Sequence, residues 1–204
     1  MYPDSGTTAI YLQNGTPVIA TEIFIGPEPT YDANADLKYP FAGVSVSFDE
    51  NQGYYNLSDL NTVRITYRSE GVMRFALLDS MTLADGNEGG EPGLYLPQVA
   101  EFTTMDIDIS DNGYDEFKAL SVPSWVSWPN NRSVVLSMVR GLKFDAKMAK
   151  AGYASFALSE VSLLDVSGNV ISSLSGINSI PETFKNKFNA YSLAQVGKQV
   201  VFNG

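Results

Sequence analysis

Apolar and polar residues change places at every second position along several stretches, and this two-residue period most constrains what the chain can become. Val44, Val46 and Phe48 alternate with Ser45 and Ser47, and Val63, Ile65 and Tyr67 with Arg64, Thr66 and Arg68. Met73, Phe75 and Leu77 alternate in the same way with Arg74, Ala76 and Leu78. Neighbouring side chains of an extended strand point to opposite faces, so each stretch has one face to bury and one mixed face. Antiparallel sheets suit that division, and two of them packed through their apolar faces give a sandwich or jelly roll. The expected class is therefore all-β, a jelly-roll β-sandwich of two antiparallel sheets.

The pattern predicts strands over 8–12, 16–25, 42–48, 62–68, 72–79, 93–98, 100–109, 133–146 and 153–165, with a further short one over 169–173. Turn chemistry separates them: Asp-Gly at 85–86, Gly-Gly at 89–90, Pro-Asn-Asn at 129–131 and Ser-Gly-Asn at 167–169. Residues 166–183 are rich in Ser, Gly and Asn, and a short strand-like tail follows. We therefore divide the chain into a sandwich over 1–165 and a linker with its tail over 166–204.

Composition narrows function. Only 18% of residues are charged and 44% are hydrophobic, which argues for a packed core over disorder. The net charge of −10 repels phosphate backbones and anionic lipid, so nucleic acid and membrane surfaces are poor partners, and neutral glycans remain open. No apolar run approaches the ~20 residues of a membrane span. With neither histidine nor cysteine, the chain can build no disulfide, zinc–thiolate site or imidazole-based triad. The first residues show no secretion signal; the expectation for an exported protein is that the signal has been removed.

Aromatic residues in polar loops are the first binding candidates. Trp125 and Trp128 lie in SVPSWVSWPNNRS, where a sugar's C–H face could stack on an indole; either ring could equally plug the end of the sandwich. Tyr31 and Tyr39 flank a loop rich in Asp and Asn, and Asp32, Asn34 and Asp36 within it mimic part of a calcium loop without its Gly or distant Glu. Arg74, Asp79, Tyr95, Lys143 and Asp145 are assigned to the mixed sheet face. A glycosidase needs two carboxylates held ~5–9 Å apart, and Asp79, Glu101, Asp145 and Glu160 are available without any spacing that selects a pair.

An ordered series of segments adds a resemblance. Ser58-Asp59-Leu60 leads into Val63-Arg64-Ile65, then Val72-Met73-Arg74-Phe75, and the series closes on Phe156-Ala157-Leu158-Ser159-Glu160-Val161-Ser162-Leu163. Over roughly residues 20–165 this resembles carbohydrate-binding modules of families 11 and 30, with their galactose-binding-like jelly roll. The resemblance implies a secreted or cell-surface bacterial protein that binds cellulose or a related β-glucan without cleaving it. It also implies an attached catalytic domain. The mixed face would be the cleft, with Arg74, Asp79, Lys143 and Asp145 bonding hydroxyls and Tyr95 stacking. No cofactor is expected. Many relatives hold a structural calcium through a closing Asp, but here Ser159-Glu160 stands in place of the closing Asp-Asn, so the metal is left open. The tail from Phe188 resembles the opening strand of a C-terminal sorting domain, or is simply a last edge strand. The competing readings are an adhesion sandwich that binds a protein partner and a small glycoside hydrolase.

Overall fold

The computed structural model describes residues 6–13, 16–25, 30–31, 37–38, 41–48, 53–79, 91–119, 131–147, 152–171, 175–176 and 199–201. Its first half forms β1 (Gly6–Gln13), β2 (Thr16–Ile25), β3 (Thr30–Tyr31), β4 (Leu37–Lys38), β5 (Phe41–Ser47), β6 (Tyr55–Asn56), β7 (Thr62–Glu70) and β8 (Met73–Asp79). There follow β9 (Gly93–Leu96), β10 (Val99–Asp108), helix α1 (Tyr114–Ala119), helix α2 (Arg132–Leu136), β11 (Val139–Lys147), β12 (Gly152–Leu164), β13 (Ser175–Gly176) and β14 (Gln199–Val201).

The strands assemble into two main sheets. One runs β1-β2-β12-β7-β10, with every pairing antiparallel. In the other, β11 is central, flanked by β5 on one side and β8 on the other, and β9 follows β8 at the margin. The small β6 and β13 extend this second sheet, and β14 lies parallel to β5. A separate ribbon joins β3 to β4. The all-β sandwich expected from the alternation is what the chain forms.

The core sits where the period puts it. Val63, Ile65 and Tyr67 of β7 and Met73, Phe75 and Leu77 of β8 are all buried, together with Leu142 and Phe144 of β11. Phe144 touches Phe75 in its own sheet at 5.3 Å between ring centroids and stacks on Phe156 of the facing sheet at 5.9 Å. Each such ring or aliphatic chain removed from water contributes about 1.5–3 kcal/mol. Those inward residues hold the two layers together.

Two local details differ from the sequence expectation. The apolar run 133–146 is two elements, because Asn131 caps a helix: its side-chain oxygen accepts from Val134 N at 3.1 Å. That satisfied cap outweighs the strand preference of the paired valines for one turn and a half, and only then does β11 begin. Of the expected strand over 169–173, residues 169–171 are described and form no strand; Leu164 and Val170 make a single bridge after the turn that Asp165 nucleates by accepting from Ser167 N and Asn169 N. Beyond residue 166, β13 pairs with β6 and β14 with β5, so these parts of the tail add to the second sheet.

One end of the sandwich is fastened by Arg132. Its guanidinium donates to the Ile109 carbonyl at 2.6 Å, the Leu60 carbonyl at 2.6 Å and the Ser58 carbonyl at 3.1 Å. Three loop carbonyls are thereby satisfied by one side chain.

Candidate functional site

The outward face of the second sheet is built in cross-strand rows. Tyr95 of β9 lies opposite Arg74 of β8, which lies opposite Asp145 of β11, which lies opposite Gly43 of β5. The next row is Gly93, Ala76, Lys143 and Ser45. Small residues therefore flank Lys143 on both sides. Gly93 is required for this closeness, since a Cβ there would overlap the Phe75 carbonyl oxygen and come within 2.7 Å of the Ala76 Cα.

Four charges close a ring on this floor. Arg74 Nε donates to Asp145 Oδ1 at 3.0 Å and its Nη2 to Asp145 Oδ2 at 2.8 Å, a two-pronged contact that only a guanidinium makes. The same Nη2 donates to Glu91 Oε2 at 3.0 Å. Lys143 Nζ donates to Glu91 Oε1 at 3.1 Å and lies 3.2 Å from Asp145 Oδ2. Cation and anion alternate around the ring, and its net charge is zero. Burial is deep: the Glu91 side chain is 2% exposed, Asp145 5% and Arg74 9%.

The electrostatics follow from that geometry. Burial pushes the Asp145 carboxyl up, but Arg74 and Lys143 together outweigh it and hold it below the ordinary carboxylate range. Burial likewise disfavours the charged forms of Arg74 and Lys143, and the two carboxylates more than restore them. All three groups stay ionised because they neutralise one another.

Of the residues expected on the mixed face, the structure brings Arg74, Lys143, Asp145 and Tyr95 together. Tyr95 alone among these four is largely open, at 46% exposure. The three charged groups are engaged with each other and with Glu91 instead of lining an open cleft. Asp79 does not belong with them. It shares the odd-numbered phase of Phe75 and Leu77, faces the core end opposite Val139, and is 1% exposed. There it stands near two tyrosines: burial first and Asp79 second push the Tyr114 hydroxyl up, and at Tyr54 burial dominates, opposed by Arg140 and assisted by Asp79.

Trp125, Trp128 and Tyr39 lie outside the described residues, and Tyr31 is placed in β3 by its backbone alone. Sequence reasoning missed Glu91, because a glutamate in a Gly-Gly-Glu-Pro turn carries no periodic signal. It also passed over the opposite outer face, where Arg64 grips Asp106 through Nε at 2.7 Å and Nη2 at 2.8 Å, and Thr66 bonds Thr104 and Glu160. The alternation along β7 marks Arg64 and Thr66 as outward; their partners 42 and 38 positions away are set by strand register alone.

Among the described residues no group of three or more His, Cys, Asp or Glu side chains is arranged to hold a metal ion, and no helix is long and apolar enough to cross a membrane. The fold and this site define an antiparallel β-sandwich carrying a buried, charge-balanced network beside an exposed tyrosine. In comparisons with known proteins, no family model matches the chain and no curated protein matches it significantly.

Proposed function

We propose that this protein is a non-catalytic glycan-binding module that holds a neutral plant polysaccharide of the β-glucan class and so brings an attached enzyme, or the cell surface, to its substrate. The observation that carries the reading is Tyr95: a half-exposed aromatic ring on a marginal strand, directly opposite an arginine that the charge ring holds fixed. Sugar rings stack their C–H faces on such a ring, and a rigid support lowers the ordering cost of binding. Pairing with Arg74 and Lys143 holds the Asp145 carboxylate ionised against its burial, which favours recognition over proton transfer, since a general acid needs a proton to donate near neutral pH. Trp125 and Trp128 extend the same proposal as loop platforms, and secretion to the cell exterior belongs with it.

Affinity gel electrophoresis against a panel of soluble polysaccharides tests the reading. Retardation by a β-glucan is expected, and Tyr95→Ala should weaken it by about 1–3 kcal/mol, the scale of losing one aromatic anchor. Trp125→Ala and Trp128→Ala should act similarly without unfolding the domain. A protein that none of the polysaccharides retards has another role, and release of reducing sugar would identify a hydrolase. Val72, 58% exposed and two residues before Arg74, adds apolar surface at the head of β8 and favours a protein partner as the second reading.

A further inference from the structure

The first sheet ends at β10, and among the described residues no strand lies on its far side. After the register shift between Val99 and Thr103, residues 103–108 run regularly against β7. Every second residue of such a marginal strand turns its N–H and C=O away from its one neighbour, where an added strand can pair with them. The side chains show that this margin is open: Ala100, Glu101, Thr103, Thr104, Asp106 and Asp108 are all exposed. The core also thins out here. Opposite the buried Tyr67, Ile65 and Val63 stand Thr103, which is exposed, Met105, which is half-buried, and Ile107, which is buried. Apolar side chains laid beside Thr103 and Met105 would continue the inner layer.

Charge chooses among the strands that could be added. Asp106 is answered by Arg64 through both its oxygens, whereas Glu101 and Asp108, which bracket the regular stretch, have no cationic partner among the described residues. A second copy of β10 added antiparallel about Thr103 and Thr104 sets Glu101 opposite Asp106, and one added parallel in register stacks each acid on itself. Like charges directly opposite destabilise both arrangements. A strand with a cation at each end and apolar residues at alternate positions meets the acids and the thin core together. We propose that the outer edge of β10 is a strand-addition surface, and that its partner is an extended segment of another protein carrying Lys or Arg at both ends of an alternating apolar stretch. Main-chain hydrogen bonds give such a contact its affinity, and the side chains give it selectivity. The proposal is independent of the glycan reading, because Tyr95 belongs to the other sheet.

The probe is a fluorescently labelled peptide, Lys-Val-Thr-Val-Thr-Val-Lys with blocked ends, offered to the intact protein and followed by anisotropy and by amide hydrogen exchange. Binding should slow exchange across residues 99–108. N-methylating the peptide's internal amides keeps its charge but deletes the cross-strand hydrogen bonds, and should weaken binding at least about tenfold. Glutamate in place of both lysines should abolish it. Glu101→Gln/Asp108→Asn keeps the side-chain acceptors, including the one that Ser110 N uses, and should weaken the lysine peptide by about threefold or more while flattening its salt dependence. Should that variant not fold, Glu101→Gln alone is measured in its place. Equal binding of the N-methylated peptide shows charge attraction alone and overturns strand addition, as does protection at β1 or β9 in place of β10. A lysine peptide that does not bind overturns it too. Unchanged binding by the neutralised variant overturns the basic partner and leaves strand addition standing. Self-association of the intact protein that protects the β10 amides overturns the foreign partner in favour of a second copy.

Discussion

Arg74 shows how much one side chain can owe to its partners. Truncating it takes the guanidinium away from Asp145 and Glu91, and removing one member of a buried ion pair usually costs about 3–5 kcal/mol. Arg74→Met should therefore lower stability by that amount in urea titrations, and Arg74→Met/Asp145→Leu, which removes one charge of each sign, should recover most of it. Failure of the double variant to recover would mean that packing around the guanidinium stem matters more than charge. Gly93 is a second sensitive position. Gly93→Ala forces a methyl onto the β8 backbone and should cost about 1–3 kcal/mol, as overpacking does. The period of two was sufficient to pick out Arg74 and to set Met73, Phe75 and Leu77 inward. Applied strictly, the same count puts Asp79 with Phe75, on the core side, where the structure has it. Glu91 had no such handle: a residue outside any periodic stretch can be placed only by the fold.

Among the elements, the long strands were legible and the short helices were not. β7, β8, β10 and β12 each carry enough alternation or apolar length to announce themselves, whereas α2 hides in a valine-rich run that reads as strand. What decides α2 is the Asn131 cap together with its docking, for Val135 and Leu136 are buried. Asn131→Ala should destabilise the protein by about 1 kcal/mol, measurable as a shift in the denaturant midpoint, because it deletes the cap's hydrogen bond to Val134 N. Glycine in place of Asn131 should cost less than alanine, since Gly is itself tolerated at helix N-caps. α1 is held by Tyr114 and Phe117, both buried and one turn apart, with their rings 5.8 Å from each other. That three-residue spacing is present in the sequence, but in six residues it is too brief to stand out against the strands around it.

At the scale of the whole molecule, pH acts through the carboxylates and lysines, since no histidine is present. The folded-state affinity of Asp145 for a proton is below that of the unfolded chain, by virtue of Arg74 and Lys143. Its contribution is thus complete above the unfolded carboxylate value of about 4 and is lost as pH falls through the lower folded value. Lys143 is shifted the opposite way, so its contribution is complete below the unfolded lysine value of about 10.4 and fades as pH rises through the higher folded one. Urea midpoints should therefore be flat from about pH 6 to 8 and fall in acid and in strong alkali. Affinity for a neutral glucan should be equally flat across that window and nearly independent of salt, because a neutral ligand releases no counterions. Steep salt dependence measured by calorimetry would point to a charged ligand.

The sequence by itself determined the all-β class, the two-faced strands and most of the core, because side-chain direction in a strand follows from counting residues and apolar area drives the counted face inward. It also assigned three of the four ring charges and Tyr95 to the mixed face, with Asp79 wrongly among them. Only the tertiary structure decided that this face closes on itself. Which strand lies beside which, and in what register, sets Arg74 against Asp145 across 71 positions and swings Glu91 over both cations. Such contacts depend on the three-dimensional path of the chain and leave no period for the sequence to show.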